Sequence, residues 1–312
     1  MKYKLLDILI CPKCKVNLDL ECVKEGAGQI REGFLYCTKN RCKYPIINYV
    51  PRFVDNDLYV DTFSIQRQYT RRYFKYFEKD RRGYLHFLPT TGFNKEDLKQ
   101  GMTLEAGCGY GRFLDVVENM GGEIVGFDLS IDSIELAQDF VGFREKVHLI
   151  QCDVFNPPFR EGYFNRIFSI GVLHHTPDTH AAFHALVPLL KKNGEIAIWV
   201  YPPELVSSPN RWRVFTNKLP HNVLISWCVV NETLFYWLRR LPGVGWRFNK
   251  IVPGCVKFDF TFWMRVISDL DSLSPRYAHT HTPIEVKEWF VESGLKDIEV
   301  LPRRTSVKGR KV

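Results

Sequence analysis

Short apolar runs rich in β-branched and aromatic residues recur along the middle of the chain, and each closes on a turn or an acid. They are Met102 to Leu104 closing on Glu105, Glu123-Ile124-Val125-Gly126-Phe127-Asp128, Val147 to Val154 around Asp153, Ile167-Phe168-Ser169-Ile170, and the run to Tyr201 fed by the turn Lys191-Lys192-Asn193-Gly194. Between them the apolar spacing shifts to that of a helix: at Phe113, Val116 and Val117, from near Ser130 onward, and through Phe183, Leu186 and Leu190. Strand and helix alternating in this way predict a mostly parallel sheet with helices on both faces, because one parallel strand reaches the next only by a crossover.

The flanks follow other patterns. Three short strands are expected at Val16 to Leu20, Phe34 to Tyr36 and Ile46 to Val50, with cysteine pairs on the turns between them and Asp55-Asn56-Asp57 as the end of the module. From Phe63 to Phe77, Thr70, Phe74 and Phe77 share one helical stripe and Tyr69, Tyr73 and Tyr76 the next, with basic residues opposite. This helix either packs into the core or, being basic and aromatic, contacts nucleic acid. Residues 204–280 are rich in Trp, Phe and Leu and are punctuated by Pro202-Pro203 and Pro242-Gly243. Their aromatic residues, Phe235, Tyr236, Trp237, Phe258 and Phe260 among them, either wall a lipid or ring-bearing substrate or bury the segment's own core. The chain closes with a helix from Ile284 to Ser293, capped by Thr282 with Pro283 and Glu285, a strand from Asp297 to Leu301, and a last strand out of the basic stretch Arg303 to Lys311. Five parts result: a cysteine-bearing module (1–54), a linker and lid helix (55–100), the alternating core (101–203), a helical cap insertion (204–280), and a helix and strands that complete the core (281–312).

With 312 residues and 45% hydrophobic content, the chain suffices for one large domain and one small one. The net charge of +8 suits an anionic small molecule, acidic lipid headgroups or RNA, and does not choose among them. Nine cysteines would suit disulfides outside the cell, but Met1-Lys2-Tyr3-Lys4-Leu5-Leu6 lacks the apolar core of a signal peptide, so reduced thiols and a cytoplasmic setting are expected. The apolar stretch from Val223 to Leu238 is interrupted by Asn231 and Glu232 and is too short to span a bilayer, which leaves it buried or interfacial.

Candidate chemistry concentrates in Glu105-Ala106-Gly107-Cys108-Gly109-Tyr110-Gly111, between the first core strand and its helix. Alternate glycines allow positive φ and let a ligand approach the backbone, and the carboxyl ends of parallel strands are where open α/β sheets bind ligands. On spacing alone the stretch also reads as a plain tight turn. An acid at Asp128, ending the second strand, can accept hydrogen bonds from both hydroxyls of a ribose, or can cap the following helix, a task Ser130 is equally able to perform. At the N-terminus, Cys11-Pro12-Lys13-Cys14 with Cys37 and Cys42 offers four thiolates on two turns, the donor set of a closed, structural zinc site in a module too small to fold on its apolar core. The other reading is four unliganded, small apolar residues.

The acid and glycines resemble the first motif of class I S-adenosylmethionine-dependent methyltransferases, which implies a Rossmann-like doubly wound fold, S-adenosyl-L-methionine as cofactor, and the helix ahead of the motif, with Tyr69 and Tyr73, as a lid over it. The resemblance places the methionine part along Glu105, Gly107, Cys108, Gly109 and Gly111, the ribose on Asp128 beside Leu129, and the adenine at Asp153 and the amide of Val154. Gly171-Val172-Leu173-His174-His175 resembles the methyltransferase group whose fourth strand ends in Leu-His-His, so Gly171 borders the cofactor and His174 or His175 is a candidate base, with packing as the alternative role. Tyr277, His279 and His281, together with Arg276, sit in a polar loop between cap and sheet and are the candidates on the substrate side. Leu5 to Cys14 and Tyr44 to Pro51 resemble the small zinc-ribbon activator proteins that pair with tRNA and translation-factor methyltransferases. That resemblance covers residues 2–54 and departs from the family at Cys37 and Cys42, which have four residues between them where two are usual. The function expected is methyl transfer to a small-molecule, glycan or lipid-intermediate acceptor. RNA or protein methylation is the enzyme alternative, and a non-catalytic binding partner the third.

Overall fold

In the computed structural model, the described residues are 1–54, 70–71, 82–203, 207–252, 254 and 260–312. The aromatic stripes expected over Phe63 to Phe77 lie outside them except for Thr70, as does Phe258.

The N-terminal module begins with a 3-10 turn at Tyr3–Asp7 and continues as β1 (Leu18–Gly26), β2 (Gln29–Cys37), β3 (Lys43–Ile47) and β4 (Val50–Pro51), an antiparallel sheet in chain order. The single strand expected from Ile46 to Val50 is instead two, because Asn48 and Tyr49 take φ of 48° and 70° and turn the chain between them. Asparagine tolerates that region well, and the turn lets β4 fold back on β3.

The second sheet contains β5 (Met102–Ala106), β6 (Glu123–Asp128), β7 (Val147–Gln151), β8 (Phe164–Ile170), β9 (Leu190–Trp199), β10 (Lys296–Val300) and β11 (Ser306–Arg310), in the order β10-β11-β9-β8-β5-β6-β7. Strands β5 to β9 are parallel to their neighbours, and β11 runs antiparallel between β9 and β10. The chain winds outward from β5 through β6 to β7, then returns to the other side of β5 for β8. That reversal opens a crevice at the carboxyl ends of β5 and β8, where a doubly wound sheet receives its ligand.

The helices are α1 (Arg82–Thr91), α2 (Lys95–Leu98), α3 (Arg112–Asn119), α4 (Ile131–Val141), α5 (Thr179–Leu186), α6 (Ser207–Thr216), α7 (His221–Leu234), α8 (Tyr236–Arg240), α9 (Gly245–Ile251), α10 (Phe262–Leu273) and α11 (Pro283–Glu292). Helix α5 stops at Leu186, short of the expected Leu190, because Pro188 cannot continue it and Leu190 already opens β9. The Thr282–Glu285 capping box forms as expected at the start of α11. On one face of the sheet Phe87 meets Phe168 edge-on at 5.3 Å, and on the other Phe159 meets Phe164 at 5.3 Å. Burying each such ring contributes roughly 1.5–3 kcal/mol.

The N-terminal module shares its core with the larger sheet: Leu5, Ile8, Leu9, Ile30 and Leu35 belong to one buried cluster with Phe127, Ile150, Phe159 and Phe164. Backbone pairing reinforces the apolar contact. Phe53 N–H donates to the Gln151 carbonyl at 2.9 Å, Ile10 N–H to Pro158 at 2.9 Å, and Arg160 N–H to Ile8 at 3.0 Å. Asn156-Pro157-Pro158-Phe159, a turn after β7, is thus the seat of the module, and Lys2 ties the same edge by donating to the carbonyls of Arg144, Glu145 and Val147.

The cap has a core of its own, in which Leu224, Ile225 and Cys228 of α7 pack on Val266, Leu270 and Leu273 of α10. Glu232, fully buried, accepts from Arg239 and Arg265, both at 2.7 Å, while Asn231 donates to Asp269 at 2.8 Å and accepts from Arg239 at 2.7 Å. Much of the aromatic and charged content of residues 204–280 therefore holds the cap together. Among the described residues no helix is long and apolar enough to cross a membrane.

Candidate active site

A cavity of about 360 Å³ opens at the β5/β8 crevice. Its floor is the glycine loop. Gly107 and Cys108 donate their amides to the Phe127 carbonyl at 2.8 and 2.9 Å, and Gly109 donates to Asp128 Oδ2 at 2.9 Å. Gly107 has φ of 78°, and a Cβ there would lie 2.3 Å from Val172 Cγ1, so no other residue fits without moving β8's exit loop. Asp128 also accepts from the Ser130 amide at 2.9 Å, while the cap of α4 is Ser130 itself, whose hydroxyl accepts from Ser133 N–H.

Glu105, Gly107, Cys108, Gly109, Asp128, Leu129, Val154 and Gly171 line this cavity, and so does His175. Gly111 sits just outside the lining as the left-handed residue that starts α3, and Asp153 turns its carboxylate to the amide of Phe155 at 3.2 Å. Glu105 is almost fully buried, and desolvation drives its pKa well above the usual carboxylate value, against the pull of Arg112. Its Oε2 has no hydrogen-bond partner among the described residues. An orphaned acid in a cavity wall calls for a cationic or N–H-bearing ligand group, and the ammonium and sulfonium of S-adenosylmethionine supply that chemistry. The donor set thus fits the cofactor that the glycine loop implies.

The other sequence candidates form a stacked cluster behind His175. Its Nδ1 lies 2.8 Å from the Tyr277 carbonyl. A carbonyl only accepts, so Nδ1 carries the proton and Nε2 the lone pair. Burial lowers the pKa of His175 to about 4, leaving it neutral at pH 7. His174 is fully buried, with its ring 3.8 Å from that of Tyr201, and burial lowers its pKa well below the usual imidazole value. His279 donates its amide to the His174 carbonyl and His281 its amide to that of Tyr201, each at 2.9 Å, while the His281 ring meets Glu285 at 2.6 Å. His174, Tyr277, His279 and His281 are not among the residues that line the cavity, nor is Arg276. Their contacts hold the loop that holds His175.

The opposite wall is what the sequence reading missed. Met264, Ile267, Ser268 and Asp271 stand at i, i+3, i+4 and i+7 of α10 and all line the cavity, as does Phe260 just before it. Of the cap aromatics singled out above, only Phe260 among the described residues reaches it. Helical spacing was the available signal, since one polar and one acidic residue fall on the stripe of Met264 and Ile267. Arg112, Trp199, Tyr201 and Arg303 complete the wall, with the Arg303 guanidinium 3.5 Å over the Trp199 ring and its pKa lowered to about 10 by burial.

Outside the cavity lining, the thiols of Cys11, Cys14 and Cys37 lie within 4.8 Å of one another, while that of Cys42 is outside the group. Asn40 organises the knuckle, its side-chain N–H donating to Cys14 Sγ at 2.9 Å and its backbone N–H to Cys37 Sγ at 3.5 Å. Burial opposes ionising Cys37, but the amides of Asn40 and Lys39 outweigh it and lower its pKa. The Tyr44 hydroxyl lies 3.3 Å from Cys11 Sγ. Three converging thiols, one of them biased toward the thiolate, fit a zinc ion.

Residues 104–198 match the family described as a methyltransferase domain, and residues 2–48 match Trm112p-like protein. The tRNA (carboxymethyluridine(34)-5-O)-methyltransferase alkbh8 of Xenopus tropicalis is 28% identical over 116 residues, which cover 36% of this chain and 17% of that protein. Norajmaline N-methyltransferase of Rauvolfia serpentina is 25% identical over 150 residues, 45% of this chain and 51% of that one. The chain thus spans about half or less of the length of these relatives. A solved complex between the Haloferax volcanii Trm112 methyltransferase activator and a methyltransferase aligns at 14% identity over 79% of this chain and 80% of that one, with a TM-score of 0.42.

Proposed function

The chain joins a Trm112p-like domain to a class I S-adenosylmethionine-dependent methyltransferase domain, and we propose that it methylates an apolar small molecule or lipid-type intermediate enclosed under the cap. The observation that carries this reading is the α10 face: Met264, Ile267, Ser268 and Asp271 line the same cavity as the glycine loop, so an acceptor beside the donor would lie against a largely apolar helix face of the cap. The exterior of the cap agrees with a lipid-type acceptor. Phe215 and Trp237 are 70% and 67% exposed, Arg211, Lys218, Arg240 and Arg247 are exposed beside them in sequence, and Glu232, the single acid between Ser207 and Val252, is buried. Exposed aromatics with basic residues and no exposed acid suit contact with an anionic bilayer surface.

S-adenosylmethionine supplies an electrophilic methyl group on a sulfonium. In our reading Glu105 receives its cationic end, Asp128 the ribose hydroxyls, and Asp153 with the Val154 amide the adenine, while Arg112 and Arg303 answer a carboxylate or phosphate on donor or acceptor. His175 Nε2 accepts the proton of an attacking hydroxyl or carbon acid. With a pKa near 4 it is a weak base, which suits a proton that leaves as the new bond forms. Cys11, Cys14 and Cys37, with Cys42 as the fourth ligand, hold a structural zinc that joins the two turns of the N-terminal module.

A second reading, tRNA methylation, draws on the tRNA-methylating relatives and the Trm112p-like domain. A screen for radiolabelled methyl transfer into host extract, fractionated into lipid, small-molecule, RNA and protein pools, separates the two. Label in the lipid or small-molecule pool supports the enclosed acceptor, and label confined to RNA overturns it.

A further inference from the structure

Helix α5 presents His180 and His184 one turn apart on a single face, and Glu292, the last residue of α11, meets them. The two Nε2 atoms are 3.0 Å apart, and Glu292 Oε2 lies 2.8 Å from that of His180 and 3.8 Å from that of His184. Zinc bonded at 2.0–2.1 Å in a tetrahedron separates its ligand atoms by about 3.3 Å, and these three edges bracket that value.

Proton bookkeeping favours a cation at their centre. The Ser293 hydroxyl donates to the Trp289 carbonyl at 2.8 Å, so toward His184 Nδ1, 3.2 Å away, it can only accept. The His184 proton therefore sits on Nδ1, and its Nε2 faces the other two ligand atoms with a lone pair. Without a metal, two acceptors, His184 Nε2 and Glu292 Oε2, would have to share the one Nε2 proton of His180. An outer acceptor that fixes the tautomer is also what metal-bound histidines require. None of these residues lines the methyl-transfer cavity, and none belongs to the thiol group in the N-terminal module.

We propose that His180, His184 and Glu292 form a second metal site, for a borderline divalent cation such as Zn²⁺, Co²⁺ or Ni²⁺, with water in the fourth position. The site clamps α5, the helix that follows the His174-His175 loop, to α11 of the C-terminal segment. It is independent of the acceptor reading above.

The test is Co²⁺ titration of the full chain after chelator treatment, with Zn²⁺ counted by mass spectrometry in parallel. Thiolate-bound Co²⁺ shows sulfur-to-metal charge transfer in the near ultraviolet, whereas an imidazole–carboxylate site shows only d–d bands. Wild type should bind one equivalent without the sulfur band. That equivalent should vanish in His180→Asn/His184→Asn and persist in Cys11→Ser. Ser293→Ala, which touches no ligand atom of the metal, should weaken this site about tenfold and leave the thiol site unchanged. Equal metal counts in wild type and the double histidine variant, or full occupancy with unchanged affinity in Glu292→Gln, would overturn the proposal. All three ligand residues are exposed or half-buried on the surface, so their loss should not unfold the chain.

Discussion

The two walls of the cavity are built by different means. The donor wall is a set of strand ends and turns, in which each residue's place follows from its neighbours: Gly107 because only glycine clears Val172, Asp128 because it ends β6 where two amides need an acceptor. The cap wall is one face of α10, and its residues reach the cavity only because a separate core, centred on Glu232 between two arginines, holds the helix there. The donor wall is thus local in origin and the acceptor wall tertiary, and damage to the cap should spare cofactor binding.

The sharpest way to break this contrast is Glu232→Ala. It strands Arg239 and Arg265 without their buried carboxylate, at a cost of about 3–5 kcal/mol. The cap should melt in a separate, earlier transition by calorimetry while S-adenosylhomocysteine still binds; a single cooperative transition would show that the walls are one unit. Acidification attacks the sheet instead, at the end of β6 and β7 away from the cavity. His148 on β7 is buried, and desolvation lowers its pKa from 6.5 to about 4. The unfolded chain takes up that proton first, so the His148 contribution to stability is complete above pH 6.5 and declines as the pH falls toward 4, by about 3 kcal/mol at most. Urea midpoints measured across that window should fall in wild type and fall less in His148→Gln; parallel slopes would remove His148 from the account. Gly107→Ala should cost about 1–3 kcal/mol in loop strain and contact with Val172, lowering cofactor affinity by tens-fold with the cap transition unmoved. The smallest effect is expected for Asp271→Asn, a severalfold rise in acceptor KM at unchanged cofactor affinity; a change in cofactor affinity instead would move α10 to the donor side.

The same division explains what could be read from the sequence. Strand–helix alternation, the acid-ended runs and the Thr282–Glu285 box are local patterns, and β5 to β8 and α11 form where those patterns place them, whereas β9 opens at Leu190 and takes in the expected turn Lys191 to Gly194 at a register shift in its pairing with β8. The β3/β4 break was hidden because Asn48-Tyr49 carries no glycine, and the end of α5 because Leu190 keeps the helical spacing past Pro188. The role of Arg303 was not legible, since it stands in a basic stretch that reads as surface and reaches the cavity only because β11 returns between β9 and β10. His174, His279 and His281 read as chemistry by residue type, whereas their backbone and ring contacts place them behind His175. Residue type indicates what a side chain is able to do, and only the packing decides what it faces.

The most direct test is titration calorimetry of S-adenosylhomocysteine into the wild-type chain and into Asp128→Ala. The account predicts one site in wild type and a loss of about 100-fold in the variant, roughly 2.7 kcal/mol, because the acid serves both the ribose and the loop amides. No binding to wild type, or equal affinity in the two proteins, would contradict it.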